Sequence, residues 1–107
     1  MNPELKTYRH FVKGLVEQMR PKNVLEIGLG SDASTAELIL QALPDDGHYT
    51  TIDISPNEKA LKILNTFDEI YWTVIKGNSK DAKHYEHLPQ CEIICIDGHH
   101  GAIECYM

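Results

Sequence analysis

The chain has 107 residues, 42% of them apolar and 24% charged, which fits one folded domain able to bury roughly 60 to 70% of the surface its unfolded chain exposes. Two independent domains would each be too small. A net charge of −6 with scattered lysines argues against nucleic acid as a partner, because displacing counterions from phosphate backbones takes a basic patch.

The first residues, Met1-Asn2-Pro3-Glu4-Leu5-Lys6, lack the charged and apolar regions of a signal peptide, and no stretch approaches 18 apolar residues. The expectation is a cytoplasmic protein with no membrane partner. Cys91, Cys95 and Cys105 are odd in number and fall in apolar segments, where cysteine behaves as a small buried hydrophobe; they read as reduced core thiols.

Leu5, Tyr8, Val12, Leu15, Val16 and Met19 recur at helical spacing, so a helix is predicted over about 3–20, stopped before Pro21. The remainder, about 22–107, reads as the core of the same single domain. Asn23 to Ile27 is a short apolar run closed by glycines, the pattern of a buried strand. Ala36, Ile39, Leu40 and Leu43 then stripe a helix that Pro44-Asp45-Asp46-Gly47 ends.

His48 to Ile54 predicts a second strand. Ser55, Pro56 and Glu58 resemble a helix start with serine as N-cap, proline at the first helical position and glutamate closing a capping box. Ala60, Ile63, Leu64 and Phe67 supply that helix's buried stripe. Ile70 to Lys76 predicts a third strand, with Tyr71 and Trp72 as core. Ser79 to His87 predicts a short helix, and Glu92 to Ile96 a fourth strand. After Asp97-Gly98 the remaining residues read as the first turns of another helix. Alternating strands and helices mean an α/β fold with a parallel sheet and right-handed crossovers. A fourth strand as apolar as Ile93 to Ile96, left at an open edge, predicts self-association or pairing with another chain through that edge.

Gly28-Leu29-Gly30-Ser31-Asp32-Ala33 satisfies the loose dinucleotide fingerprint, and Asp53 lies near the spacing of a ribose-binding acid. Glu26 separates two readings. It adds negative charge beside the loop, which disfavours a pyrophosphate and favours a ligand with an ammonium and a sulfonium and no phosphate. Asp32 stands where a third glycine is common, and aspartate tolerates the left-handed backbone such a turn requires.

Val24-Leu25-Glu26-Ile27-Gly28-Leu29-Gly30 with Ser34-Thr35 resembles motif I of class I S-adenosylmethionine-dependent methyltransferases, in the small-molecule O-methyltransferase version. Ile93 to His100, reading Ile-Ile-Cys-Ile-Asp-Gly-His-His, resembles the strand-four segment of the same enzymes, with His99 in place of the usual acid. The resemblance runs from about residue 4 to 107. It implies a Rossmann-like three-layer sandwich with about four parallel strands in the order 3-2-1-4, lacking the usual strands five to seven that build the acceptor pocket. It implies that Glu26, Gly28, Gly30 and Ser34 surround the methionine part of S-adenosylmethionine. Asp53 would hold the ribose, Ile54 would pack on adenine, and Asn78 or Ser79 would meet the adenine edge.

By the same resemblance Asp97 is a catalytic-site residue and a magnesium ligand, although Mg²⁺ needs further oxygen donors. Asp97 also reads as an ordinary surface Asp-Gly turn. His100 follows it and could act as a base near neutrality. A zinc cluster from His84, His87, His99 and His100 lacks the spacing of a structural site, and solvated histidines explain them more simply. The implied activity is methyl transfer to a small-molecule hydroxyl or amine. Two alternatives stand beside it: a non-catalytic cofactor-binding or interaction module of the same fold, and an NAD-dependent oxidoreductase.

Overall fold

The computed structural model describes the backbone of residues 3–97 and 103–106 and the side chains of residues 9–96. In chain order it contains α1 (Pro3–Met19), β1 (Asn23–Ile27), α2 (Ser34–Ala42), β2 (His48–Asp53), α3 (Glu58–Leu64), β3 (Trp72–Lys76), β4 (Ile93–Asp97) and β5 (Ile103–Tyr106). Short 3₁₀ turns at Glu69–Tyr71 and Ala82–Tyr85 flank β3.

The sheet order is β3-β2-β1-β4-β5. Its first four members are parallel, in the 3-2-1-4 arrangement expected of the Rossmann-like fold. The fifth is antiparallel, with Cys95 opposite Cys105 and Asp97 opposite Ile103. This corrects the expected final helix. Ile103-Glu104-Cys105-Tyr106 alternates apolar and polar residues, and the unpaired amides and carbonyls of β4 recruit such a segment. Pairing with β5 also removes the reason for expecting another chain on β4.

Lateral register sorts the strand residues into two faces. Val24, Tyr49 and Ile93 are neighbours, as are Glu26, Thr51 and Cys95. The core joins Val24, Tyr49, Ile93 and Cys95 to Val12 and Val16 of α1, Ala36, Ile39 and Leu40 of α2, and Ala60 and Leu64 of α3. All three helices therefore cover this face. The alternate residues Ile27, Ile52 and Ile96 share the other. The chain moves in one direction from β1 to β3 and then returns past β1 to β4, so a right-handed crossover carries residues 77–92 across that second face.

Two local expectations change. The N-cap of α3 is Asn57, whose side chain accepts the Lys59 amide at 2.8 Å, and not Ser55. The Asp53 carboxylate takes the Ser55 amide, also at 2.8 Å, and holds Ser55 in the preceding turn. The predicted helix over Ser79 to His87 contracts to one 3₁₀ turn. Its sequence offers no apolar stripe, and without burial a short helix does not offset its nucleation cost.

Tyr71 and Trp72 are partly buried against the core, and the Trp72 indole donates to the Phe67 carbonyl at 3.2 Å. Cys95 is fully buried, and Cys91 is a half-buried free thiol whose pKa burial raises. No helix among the described residues is long and apolar enough to cross a membrane.

Candidate functional site

Strands β2, β1 and β4 end side by side; the connections that leave β1 and β2 lead to helices on one face of the sheet, and the one that leaves β3 crosses the other. In open α/β sheets this reversal creates a crevice at the carboxyl ends of the strands. Here it is a cleft of about 580 Å³, within the usual range for small-ligand sites. Its floor is Ile27, Ile52 and Ile96, one wall is Gly28 and Gly30, and the other runs through Asp53, Ile54 and Gly77 to Lys80.

The glycine wall needs its glycines. Gly28 has φ 91° and Gly30 φ 79°, both in the left-handed region that residues with a Cβ avoid. Gly28 N–H donates to the Ile52 carbonyl at 2.9 Å, which extends the sheet ladder by one residue. The next amide, Leu29 N–H, donates to Asp53 Oδ2, also at 2.9 Å. With Ser55 N–H on Oδ1, both oxygens of Asp53 are held by backbone donors from the two loops flanking the cleft. Each oxygen keeps a lone pair for a hydroxyl.

The left-handed residue expected at Asp32 is instead Ala33, with φ 51° at the N-cap of α2. Asp32 uses its side chain differently: Oδ1 accepts Ser34 N–H at 3.2 Å, the first amide of the helix. Its carboxylate is held below the ordinary value of 3.8 by the Ser34 hydroxyl, then by the Ser34 amide and the charges of Arg9 and Lys59, against a smaller opposing effect of burial. An anion of the chain's own thus occupies a helix N-terminus that could otherwise receive a phosphate.

Glu26 stands outside the cleft lining. Only 1% of it is exposed, and its Oε1 accepts from the Tyr49 hydroxyl at 2.5 Å, on the helix-covered face of the sheet. Burial, then the charge of Glu26, pushes the Tyr49 pKa well above 10.0.

Of the residues expected at the cofactor, Gly28, Gly30, Asp53, Ile54, Asn78 and Ser79 line one cleft, while Glu26 and Ser34 are not part of its lining. Asp97 ends β4 next to Ile96 and is described by its backbone alone; His100 lies outside the described residues. Among the described residues no three His, Cys, Asp or Glu side chains converge on a metal position, and the Asp97 side chain, where magnesium was expected, lies outside them. Of the histidines considered for zinc, His84 and His87 join no such group among the described residues, and His99 and His100 lie outside them.

Sequence reasoning missed Ile27, Ile52, Ile96, Gly77 and Lys80. Strand alternation carries the signal for the three isoleucines, since each stands on the same face at the end of its strand. Gly77 and Lys80 carry no such signal, because the wall after β3 is built from local turns.

The O-methyltransferase family profile matches residues 5–87. No curated protein sequence matches the chain. Among solved structures, the O-methyltransferase TomG of Streptomyces achromogenes, in complex with SAM, is 18% identical with a TM-score of 0.74, over 86% of this chain and 44% of that one. An O-methyltransferase of Bacillus cereus in complex with SAH is 23% identical with a TM-score of 0.66, over 91% of this chain and 45% of that one. An SAH-bound methyltransferase of Podospora anserina is 18% identical with a TM-score of 0.68, over 85% and 40%. These likenesses establish the fold, and the chain spans less than half the length of each. The matched residues 5–87 take in the glycine loop, the acid ending β2 and the wall after β3, and the chain belongs to the O-methyltransferase family.

Proposed function

We propose that the chain is the cofactor-binding portion of an S-adenosylmethionine-dependent methyltransferase whose acceptor is a small-molecule hydroxyl or amine. The observation that carries this reading is the Asp32 carboxylate on the first amide of α2. A dinucleotide places its pyrophosphate at that helix end, and a fixed carboxylate there repels it. A nucleoside cofactor with no phosphate and a cationic tail meets no such conflict.

The residues lining the cleft fit that cofactor. Asp53, fixed by two backbone donors, presents its remaining lone pairs to ribose hydroxyls. Ile54 is 69% exposed at the cleft mouth, an apolar surface that a purine would cover. Gly28 and Gly30 allow the ligand to approach the backbone closely. The bound cofactor supplies an electrophilic methyl group, and the chain's contribution is to hold it in line with an acceptor. Asp97 and His100 remain the proposed groups for taking the acceptor's proton, with no magnesium step derived. The free thiol of Cys91 suits a reducing, cytoplasmic setting, and a second copy would pair on an edge other than β4.

Calorimetric titration with S-adenosylmethionine, S-adenosylhomocysteine and NAD tests the reading. The first two bind at micromolar affinity and NAD does not. Heat from NAD alone would sink it in favour of the oxidoreductase. Binding with no methyl transfer to any hydroxyl or amine tried selects the non-catalytic module.

A further inference from the structure

The wall after β3 contains a glycine whose backbone does not require one. Gly77 is absent from the positive-φ residues, where Gly28 and Gly30 are found. Its amide donates to the Asp53 carbonyl at 3.0 Å, so it continues the β2–β3 ladder as any residue could. What excludes a side chain is His84. A Cβ built on Gly77 would lie 2.2 Å from His84 Nε2 and 2.5 Å from Cε1, far inside van der Waals contact. The imidazole edge occupies the space that a residue-77 side chain would need.

His84 is brought there by a short chain of local bonds. Asn78 accepts the Lys80 amide at 2.9 Å on its side chain and the Asp81 amide at 3.0 Å on its carbonyl. The Asp81 carbonyl then accepts the His84 amide at 3.2 Å, and the Tyr85 hydroxyl donates to the Ser79 carbonyl. Among the described residues the imidazole makes no side-chain hydrogen bond of its own, so its contact with Gly77 is steric. Gly77, Asn78, Ser79 and Lys80 all line the cleft, and His84 stands behind them.

We propose that His84 is a positioning residue: its ring is a wedge that sets where the Gly77–Lys80 wall stands, and residue 77 is glycine to admit it. The proposal rests on the cofactor reading above, since this is the wall assigned to the adenine edge. The wedge acts through shape, so the ring matters and its nitrogen does not.

The test is a double-mutant cycle read by calorimetric affinity for S-adenosylhomocysteine. Gly77→Ala weakens binding about tenfold, because the new methyl displaces the ring, and His84→Ala weakens it about threefold. Ala at both positions lies within about twofold of His84→Ala, since the added methyl fills space the ring has left; coupling of this size is usual for residues in contact. His84→Phe stays within about twofold of wild type. Independent, multiplicative effects of the two alanines, or a Phe variant as weak as the Ala variant, would overturn the wedge. If the wild type binds neither S-adenosylmethionine nor S-adenosylhomocysteine, the cofactor reading fails separately. The wedge is then decided by hydrogen exchange in the same proteins. Faster exchange of the Gly77 and Asp81 amides in His84→Ala, and not in His84→Phe, supports it; unchanged exchange refutes it.

Discussion

The two walls of the cleft are held by different physics. The β1–β2 side is closed: Val24, Leu25, Glu26, Tyr49, Thr50, Thr51 and Ile52 are all buried, and α2 packs Ala36, Ile39 and Leu40 on the face that carries Val24 and Tyr49. The β3 side is open. No residue of β3 or of the 3₁₀ turns beside it is fully buried, and beyond the Gly77 amide, which bonds the Asp53 carbonyl, residues 78–85 are tied by short-range hydrogen bonds. One wall is therefore part of the cooperative core, while the other can open without unfolding the domain, a division suited to a site that must admit and release a ligand.

The strongest way to break this comparison is inside the closed wall. Tyr49→Phe removes the hydroxyl that donates to Glu26 at 2.5 Å in a fully buried setting, and a buried carboxylate deprived of a donor costs about 3 kcal/mol. Urea denaturation should show that loss with an unchanged slope. The same hydroxyl gives a pH signature. Its pKa is raised in the folded chain by burial first and Glu26 second, so its stabilising contribution is complete below 10.0 and is lost as pH rises above it. The wild type should lose stability above pH 10 faster than Tyr49→Phe does; parallel curves would place the hydroxyl elsewhere.

Asp53 joins the walls, so its loss is felt in both. Asp53→Ala frees the part-buried Leu29 amide and the exposed Ser55 amide, for about 2 kcal/mol in total. It also removes the proposed ribose acceptor, and affinity for S-adenosylhomocysteine should fall by more than about tenfold, a larger effect than the stability loss alone transmits. Equal affinity in the variant would show that the carboxylate serves the loops and no ligand.

A subtler test lies at Ala33, where φ is 51° and the side chain is fully buried. Glycine there relieves about 1–2 kcal/mol of left-handed strain. It also gives up a buried methyl of about 0.8 kcal/mol and adds roughly 0.4–1 kcal/mol of unfolded-state entropy. The sum is close to zero. Ala36→Gly, equally buried but inside α2, has no strain to relieve and loses about 2 kcal/mol. Thermal melts of the pair separate backbone strain from burial in one wall.

The same contrast explains what was legible in the sequence. β1 is recovered at Asn23–Ile27 and the α2 stripe at Ala36, Ile39 and Leu40, because burial imposes a period on the residues. The glycine loop and Asp53 were readable as a pair, since a tight turn and a strand-ending acid leave fixed spacings. Glu26, whose charge was expected beside the glycine loop, has its carboxylate on the Tyr49 hydroxyl. In the proposed reading it is Asp32 that repels a phosphate, through a turn whose strain falls on Ala33. The open wall was not readable. Its geometry depends on Asp68 and Asp81 capping short turns and on a steric fit between Gly77 and His84, and none of these leaves a periodic trace.

The smallest expected effect is the most diagnostic of the open wall. Asp81 caps its 3₁₀ turn by accepting the Lys83 amide at 3.2 Å, and its contact with the Lys83 ammonium at 3.6 Å is solvent-exposed and adds little. Asp81→Ala therefore changes global stability by less than about 0.5 kcal/mol, at the low end for an exposed cap. Locally the consequence is different. The turn that carries His84 against Gly77 loses its first anchor, so amides at 83–86 should exchange faster while those of β1 and β2 are unaffected. If exchange rose across β1 and β2 as well, the two walls would be one cooperative unit and the contrast between them would not hold.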